Sequence, residues 1–240
     1  MSQRGGGISA APWNRLNLGH GVGDAPAAVD SNRARFTAAL GGARPMWLRL
    51  VHGCDVLQLT PAQLDGPMPT ADAAWTAERG IACTVSVADC LPVLLAVRDG
   101  RAVAAAHAGW RGLAQGVLEA TVHSLCRGSG AVPGELLAWL GPCIGPRQFE
   151  VGADVLAAFG VAADGAGDVA HDAGFVYRPR PDGAPRWLAD LPRLARQRLA
   201  LAGVSAVAVD GACTVEDGLR FFSFRRDGVT GRMAAAIWRR

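Results

Sequence analysis

The sequence predicts an α+β fold, and three observations carry that prediction. Strand-like and helix-like stretches are mixed without the regular alternation of a βαβ chain. The apolar runs "GIACTVSV", "LPVLLAV" and "RAVAAAH" come in quick succession, with "RDG" (Arg98–Gly100) a hairpin signal between the last two. After "HAGWRG" the period changes: Leu113, Val117, Leu118, Thr121, Val122 and Leu125 recur at helical spacing, so residues 113–127 read as an amphipathic helix.

Taken in order, the first fifty residues read as a loop-rich entry, a short helix over 31–40 and a strand "MWLRLV" that runs into His52–Gly53. "DVLQL" follows as its partner strand, with Gly53 and Cys54 as the turn. Residues 60–79, rich in Pro, Ala and Asp, read as a surface excursion. Beyond the amphipathic helix, "GELLAWLGPCIGP" reads as a strand entering a Gly-Pro loop. A helix is expected near 152–159, then a variable Ala/Gly/Asp segment at 160–174. "DLPRLARQRLALAGV" is a helix with Gly203 as its stop signal. "AVAVDGACT", "FFSFRRDG" and "RMAAAIW" close the chain as strands and turns. No linker divides the chain, so a single domain over residues 1–240 is expected.

Composition narrows the chemistry. The formal charge of +3 is too small to argue for nucleic acid or a membrane surface. No apolar run reaches transmembrane length, and "MSQRGGGISAAPW" lacks the apolar segment of a secretory signal, so a cytoplasmic location is expected. Six Cys with no C-x-x-C spacing predict reduced thiols rather than a disulfide framework or zinc ribbon. All 24 basic residues are Arg. The absence of Lys excludes Schiff-base chemistry, lysine-anchored pyridoxal phosphate and a P-loop. Tyr177 is the single phenol, so reactive groups come mainly from Cys, His, Asp, Glu, Ser or a metal-bound water.

Among the five His, His52 and His107 lie at the predicted ends of apolar strands, as Cys90 does. Two imidazoles and a thiolate suit zinc, and three protein ligands leave a fourth position for water or substrate. The alternative is three unrelated core or surface residues. His20 and His171 sit in loops without supporting pattern, and His123 reads as packing or surface within a helix. "HAGWRGL" opens a helix beside Arg111, which would hold a phosphate or carboxylate, or else be a surface Arg at a tight turn. In "FRRDGVTGR", Arg225 and Arg226 offer bidentate anion geometry, or form a structural pair with Asp227.

Six ordered stretches together resemble one family. They are "LNLG…VGD" (16–24), "VHG" (51–53), "ADCLPVLLA" (88–96), "AAHAGWRGL" (105–113), "LGPCIGPRQFEVG" (140–152) and "FFSFRRDGVTGRMAAAIW" (221–238). The chain is similar, from about Gly7 to Trp238, to the YfiH-type family, whose members carry the names polyphenol oxidase (laccase), purine nucleoside phosphorylase and peptidoglycan editing factor. The resemblance implies a four-layer α-β-β-α sandwich related to cysteine hydrolases such as the catalytic part of cytotoxic necrotizing factor. It also implies zinc ligation by His52, Cys90 and His107, with copper as a second candidate ion. Two positions depart from the family pattern. The usual N-L-G-L-H-V-G-D reads "NLGHGVGD", with Gly21 in place of the His and His20 one residue earlier, and the usual Tyr before the Arg pair is Phe224.

The activity this resemblance implies is purine nucleoside phosphorolysis of adenosine, inosine or methylthioadenosine. Arg111 and Arg226 are the candidates for phosphate, and Asn17 in "LNLG" is a further substrate-binding candidate. Cys90, His107 and Asp89 are the catalytic candidates, Asp89 as a group that orients a His or accepts a proton. Zinc brings the pKa of bound water near neutrality, so adenosine deamination is a compatible side activity, although the H-x-E…P-C-x-x-C signature is absent. One alternative is an amidase that removes a misincorporated amino acid from a nucleotide-linked cell-wall precursor. Another is copper-dependent phenol oxidation, for which the chain lacks H-x-H pairs. Another makes Cys90 a nucleophile activated by His107 without a metal. A non-enzymatic binding module fits an open metal position poorly. The expected partners are a nucleoside with phosphate, or the cell-wall precursor, with no nucleic acid or membrane, in a monomer or weak homodimer.

Overall fold

Strands in the middle of the chain are buried on both faces, and this sets the layering. The computed structural model describes residues 1–163 and 173–240. Strand β6 (Val103–Ala108) is buried at every position, the pattern of a strand covered on two sides. It joins β2 (Val56–Gln58), β3 (Ala73–Thr76), β5 (Leu91–Val97), β7 (Leu136–Leu140) and β11 (Ala206–Val209) in a six-stranded sheet ordered β11-β7-β5-β6-β3-β2. The β5–β6 hairpin forms where "RDG" predicts it, with Leu91 opposite Ala108 and Ala96 opposite Val103.

A second sheet of three strands, β1 (Arg44–Met46), β4 (Ile81–Val87) and β12 (Met233–Trp238), is ordered β1-β4-β12 and stacks on the first. Alternation along β6 assigns the faces. Val103 and Ala105 pack with Met46, Cys83, Val85 and Ala235 of the smaller sheet. Ala104 and Ala106 share a core with Leu118, Val122 and Leu125 of helix α3 (Val117–Ser129). Helix α1 (Pro26–Ala39) sets Phe36, with Leu40 just beyond it, among Ala82 and Ala234 of the smaller sheet. The fold is therefore mixed α and β with several sheets.

The structure differs from the sequence reading in four places. "MWLRLV" and "DVLQL" do not form a hairpin: β1 ends at Met46 and pairs with β4, while β2 pairs in parallel with β3. The backbone N–H groups between them are unavailable to a ladder, because the Asp72 carboxylate accepts those of Val51, His52 and Gly53. Within the supposed surface excursion, Ala73–Thr76 is a fully buried strand. The helix at 113–127 is two helices, α2 (Trp110–Gln115) and α3, broken at Gly116 with φ 94°, the left-handed region that glycine enters freely. "FFSF" is not a strand; Phe221 and Phe222 are buried, and the Ser223 side chain caps a short helix over Phe224–Asp227.

The remaining elements are β8 (Glu150–Val151), α4 (Ala153–Ala158), β9 (Phe175–Tyr177), β10 (Trp187–Ala189), α5 (Leu191–Leu201) and α6 (Phe224–Asp227). β8, β10 and β9 make a third small sheet, which the sequence reading did not anticipate. Helix α5 starts at Asp190, whose side chain accepts the Arg193 N–H at 2.9 Å, and stops before Gly203. His171 and most of the 160–174 segment lie outside the described residues.

Candidate metal centre

Cys90 lies where the chain crosses from β4 in the smaller sheet to β5 in the larger one, directly after Asp89 with φ 89°. His107 is on β6, opposite Pro92 of β5, and is buried. His52 lies in the loop before β2, with φ 61°, and is exposed. Three elements thus deliver one donor each, and the donor atoms lie within 4.8 Å of one another. Cys90 Sγ is 3.8 Å from His52 Nε2, and the two imidazoles meet edge to face at 4.8 Å between centroids.

The donor set fits a tetrahedral ion. Zn–S near 2.3 Å and Zn–N near 2.0–2.1 Å would hold sulfur and nitrogen about 3.6 Å apart, close to the 3.8 Å found here. Gly109 keeps the space clear, because a Cβ there would fall 2.9 Å from His52 Cδ2 and 3.0 Å from Cys90 Sγ.

Asp72 organises the cluster, and the sequence reading missed it. Its carboxylate, fully buried, accepts the His107 Nδ1–H at 2.9 Å through Oδ1. The same oxygen accepts the His52 backbone N–H at 2.9 Å, and Oδ2 accepts those of Gly53 at 2.8 Å and Val51 at 3.1 Å. A carboxylate is acceptor only, so Nδ1 carries a proton, and Nε2 is the His107 nitrogen that would ligate an ion once its own proton has left. Burial would raise the Asp72 pKa, but the His107 hydrogen bond and the Gly53 and Val51 N–H groups outweigh it and hold it below the usual range. The available signal was one carboxylate ahead of the small, apolar "AAWT" run.

Asp89 has a different task from the one expected. Its Oδ1 accepts the Thr214 hydroxyl at 2.6 Å and its Oδ2 the Arg225 N–H at 2.7 Å, so it ties the crossover to α6 rather than orienting a His. Burial alone would push the Cys90 thiol up. The charge of His107 and hydrogen bonds from His107 and His52 bring it down to about 6. Burial likewise disfavours the His107 imidazolium, yet Cys90 and Asp72 raise its pKa to about 9. Without an ion, Cys90 and His107 therefore form a thiolate–imidazolium pair at neutral pH.

The cluster opens into a cavity of about 490 Å³. Leu48, Leu50 and Met68 contribute apolar wall, and Phe224, the position without a phenol, reaches it as an exposed ring. His20 and Gly21 also line it, and His20 Nε2 lies 2.9 Å from Asp30 Oδ1. The other predicted binding residues are not on this wall. Arg111 is exposed and stacks over the Trp110 ring at 4.3 Å. Arg226 is occupied by Asp227 and by the carbonyls of Thr214, Val215 and Phe221. Asn17 is buried, holding Gly19, Asp24 and the Arg232 N–H. None of the three lines the cavity; Arg226 and Asn17 are structural ties, since their polar atoms already have partners.

A family model described as multi-copper polyphenol oxidoreductase laccase matches residues 1–240. The chain is 51% identical over 239 residues to a Pseudomonas aeruginosa protein named purine nucleoside phosphorylase, covering 99% of this chain and 91% of that one. It is 47% identical over 238 residues to the Escherichia coli purine nucleoside phosphorylase YfiH, with the same coverage of 99% and 91%. Among solved structures, a Neisseria meningitidis protein superposes with a TM-score of 0.86 at 42% identity, covering 99% of this chain and 91% of that one. Bacillus licheniformis YfiH superposes with a TM-score of 0.87 at 26% identity and the same coverage, 99% and 91%.

Proposed function

The chain belongs to the family described as multi-copper polyphenol oxidoreductase laccase, and from that premise we propose that it is a metal-dependent purine nucleoside phosphorylase. The observation that carries this reading is the convergence of His52, Cys90 and His107 at the wall of a cavity of about 490 Å³, within the usual range of roughly 300–1,000 Å³ for small-molecule sites. Its substrates in this reading are adenosine, inosine and methylthioadenosine, with adenosine deamination as a side reaction. Zinc is the ion assigned to the cluster, and copper the second candidate. When bound, such an ion supplies Lewis acidity toward a substrate oxygen or nitrogen.

The protein's own residues bind and orient. Asp72 keeps the Nδ1 proton on His107, so Nε2 is the nitrogen that would ligate an ion. Leu48, Leu50 and Met68 exclude water from one part of the cavity, and Phe224 offers a face for the purine. A phosphate oxygen forms the new bond to C1′ as the C1′–N9 bond breaks. The electron pair leaves with the purine, which takes up a proton, and ribose 1-phosphate remains. Copper-dependent phenol oxidation is the weaker reading, because one three-donor group is what the described residues bring together.

The same reading places the protein in the cytoplasm as a monomer or weak homodimer. All six Cys are unpaired, in keeping with a reducing compartment, and no described helix is long and apolar enough to cross a membrane. The four-layer α-β-β-α description belongs here too, supported by α1 and α3 against the outer faces of the two stacked sheets.

The test is base release from inosine by the wild type and by Cys90→Ser, with phosphate present and absent. Ribose 1-phosphate forms only with phosphate, and Cys90→Ser folds but does not turn over. Base release that is unchanged when phosphate is omitted sinks the reading.

A further inference from the structure

Several arginines in this protein are tied to carboxylates. Arg44 pairs with Asp65, Arg147 with Glu216, Arg198 with Glu119 and Arg226 with Asp227. The cavity beside the His-Cys-His cluster instead gathers arginines that are not. Three guanidinium residues line it, Arg33, Arg49 and Arg232, and among the described residues none of them pairs with a carboxylate.

Their hydrogen bonds leave their charges uncompensated. Arg33 donates through Nε to the Leu18 carbonyl at 2.9 Å, and its Cζ lies over the Trp47 ring, 3.9 Å from the centroid. Arg232 donates through Nη1 to the carbonyls of Thr230 and Gly231, both at 3.1 Å. The Arg232 stem runs so close to Gly19 that a Cβ on that glycine would lie 2.5 Å from its Cγ. Arg49 is exposed, and its side chain has no partner among the described residues. Both side chains are half-buried, and that partial burial lowers the pKa of Arg33 to about 10 and that of Arg232 also.

We propose that Arg33, Arg49 and Arg232 form an anion cradle that holds inorganic phosphate in the cavity beside the His-Cys-His cluster. A tetrahedral dianion offers several oxygens to planar guanidinium forks, and its charge offsets the partial desolvation of the two half-buried arginines. With no Lys in the chain, arginine is the cation available for this purpose. The assignment rests on the phosphorolytic reading for the identity of the anion, but not for the existence of the cradle. It also replaces Arg111 and Arg226, neither of which lines this cavity.

The experiment is calorimetric titration of the holoenzyme with inorganic phosphate, alongside steady-state KM values for phosphate and for inosine. The proteins are wild type, Arg49→Gln, Arg232→Gln and, as control, Arg111→Gln. Each cradle variant is expected to weaken phosphate binding by about ten- to a hundredfold, the range for losing a charged hydrogen-bond partner. KM for phosphate rises in step while KM for inosine stays nearly constant, and Arg111→Gln changes neither. If Arg232→Gln does not fold, Arg49→Gln decides alone, because that side chain holds nothing else together. Phosphate binding that survives in the folded cradle variants, or is absent from the wild type, overturns the proposal. A wild type that binds phosphate through the cradle yet forms no ribose 1-phosphate leaves the cradle standing and removes phosphorolysis instead.

Discussion

Asp72 Oδ1 lies 2.9 Å from His107 Nδ1, and both side chains are buried. Because the same oxygen also accepts the His52 backbone N–H at 2.9 Å, one carboxylate sets the ring of one predicted ligand and the backbone of another. Metal sites of this kind depend on such outer contacts nearly as much as on the ligands.

Asp72→Asn tests that dependence. The amide keeps the shape but turns an NH₂ group toward donors that need an acceptor. Ion affinity, read by competition with a chelator, is expected to fall about 10–100-fold, with a loss of about 1–3 kcal/mol in chemical denaturation.

Metal uptake will depend on pH with a defined sign. In the ion-free protein His107 holds its proton up to about 9 and Cys90 loses its proton above about 6. Between those values ion binding displaces one proton, so affinity rises about tenfold per pH unit. Below the lower value two protons must leave and the dependence steepens. Iodoacetamide labelling of Cys90 in ion-free protein should rise through a midpoint near 6, and His107→Ala should move that midpoint up. A midpoint near that of an ordinary thiol would show that the pair does not form.

Gly109→Ala separates the site from the fold. Gly109 has φ −63° and ψ 157°, which alanine adopts without strain. Its Cβ would nevertheless sit 2.9 Å from His52 and 3.0 Å from Cys90. The variant should melt close to the wild type but bind the ion more weakly, measured by metal content after dialysis. Wild-type metal content would mean that the imidazole and thiol relax around the methyl group.

Asp89→Ala should do the reverse. Removing the acceptor of the Thr214 hydroxyl and the Arg225 N–H leaves buried donors unpaired, at a cost of about 1–3 kcal/mol. Ion affinity should be retained, since Asp89 contacts none of the three ligands through its carboxylate. Affinity that falls as far as in Asp72→Asn would return Asp89 to the metal site.

Much of this protein is determined locally. The apolar runs 81–87, 91–97 and 233–238 are strands because their residues demand cover on both faces, and "RDG" closes a hairpin between neighbours. Donor chemistry is equally local, since His52, Cys90 and His107 are the residue types that hold a divalent ion. What tertiary structure decided is which charges serve which purpose. Asp72 stands in an unremarkable stretch and becomes the organising carboxylate because β3 is buried beside β6, while Asp89, adjacent to Cys90 in sequence, turns away at φ 89° to hold α6. Arg33 and Arg49 belong to no motif and Arg232 only closes the "FRRDGVTGR" stretch, yet the three share one cavity wall, because charge at a site depends on distance through space, which sequence spacing does not measure.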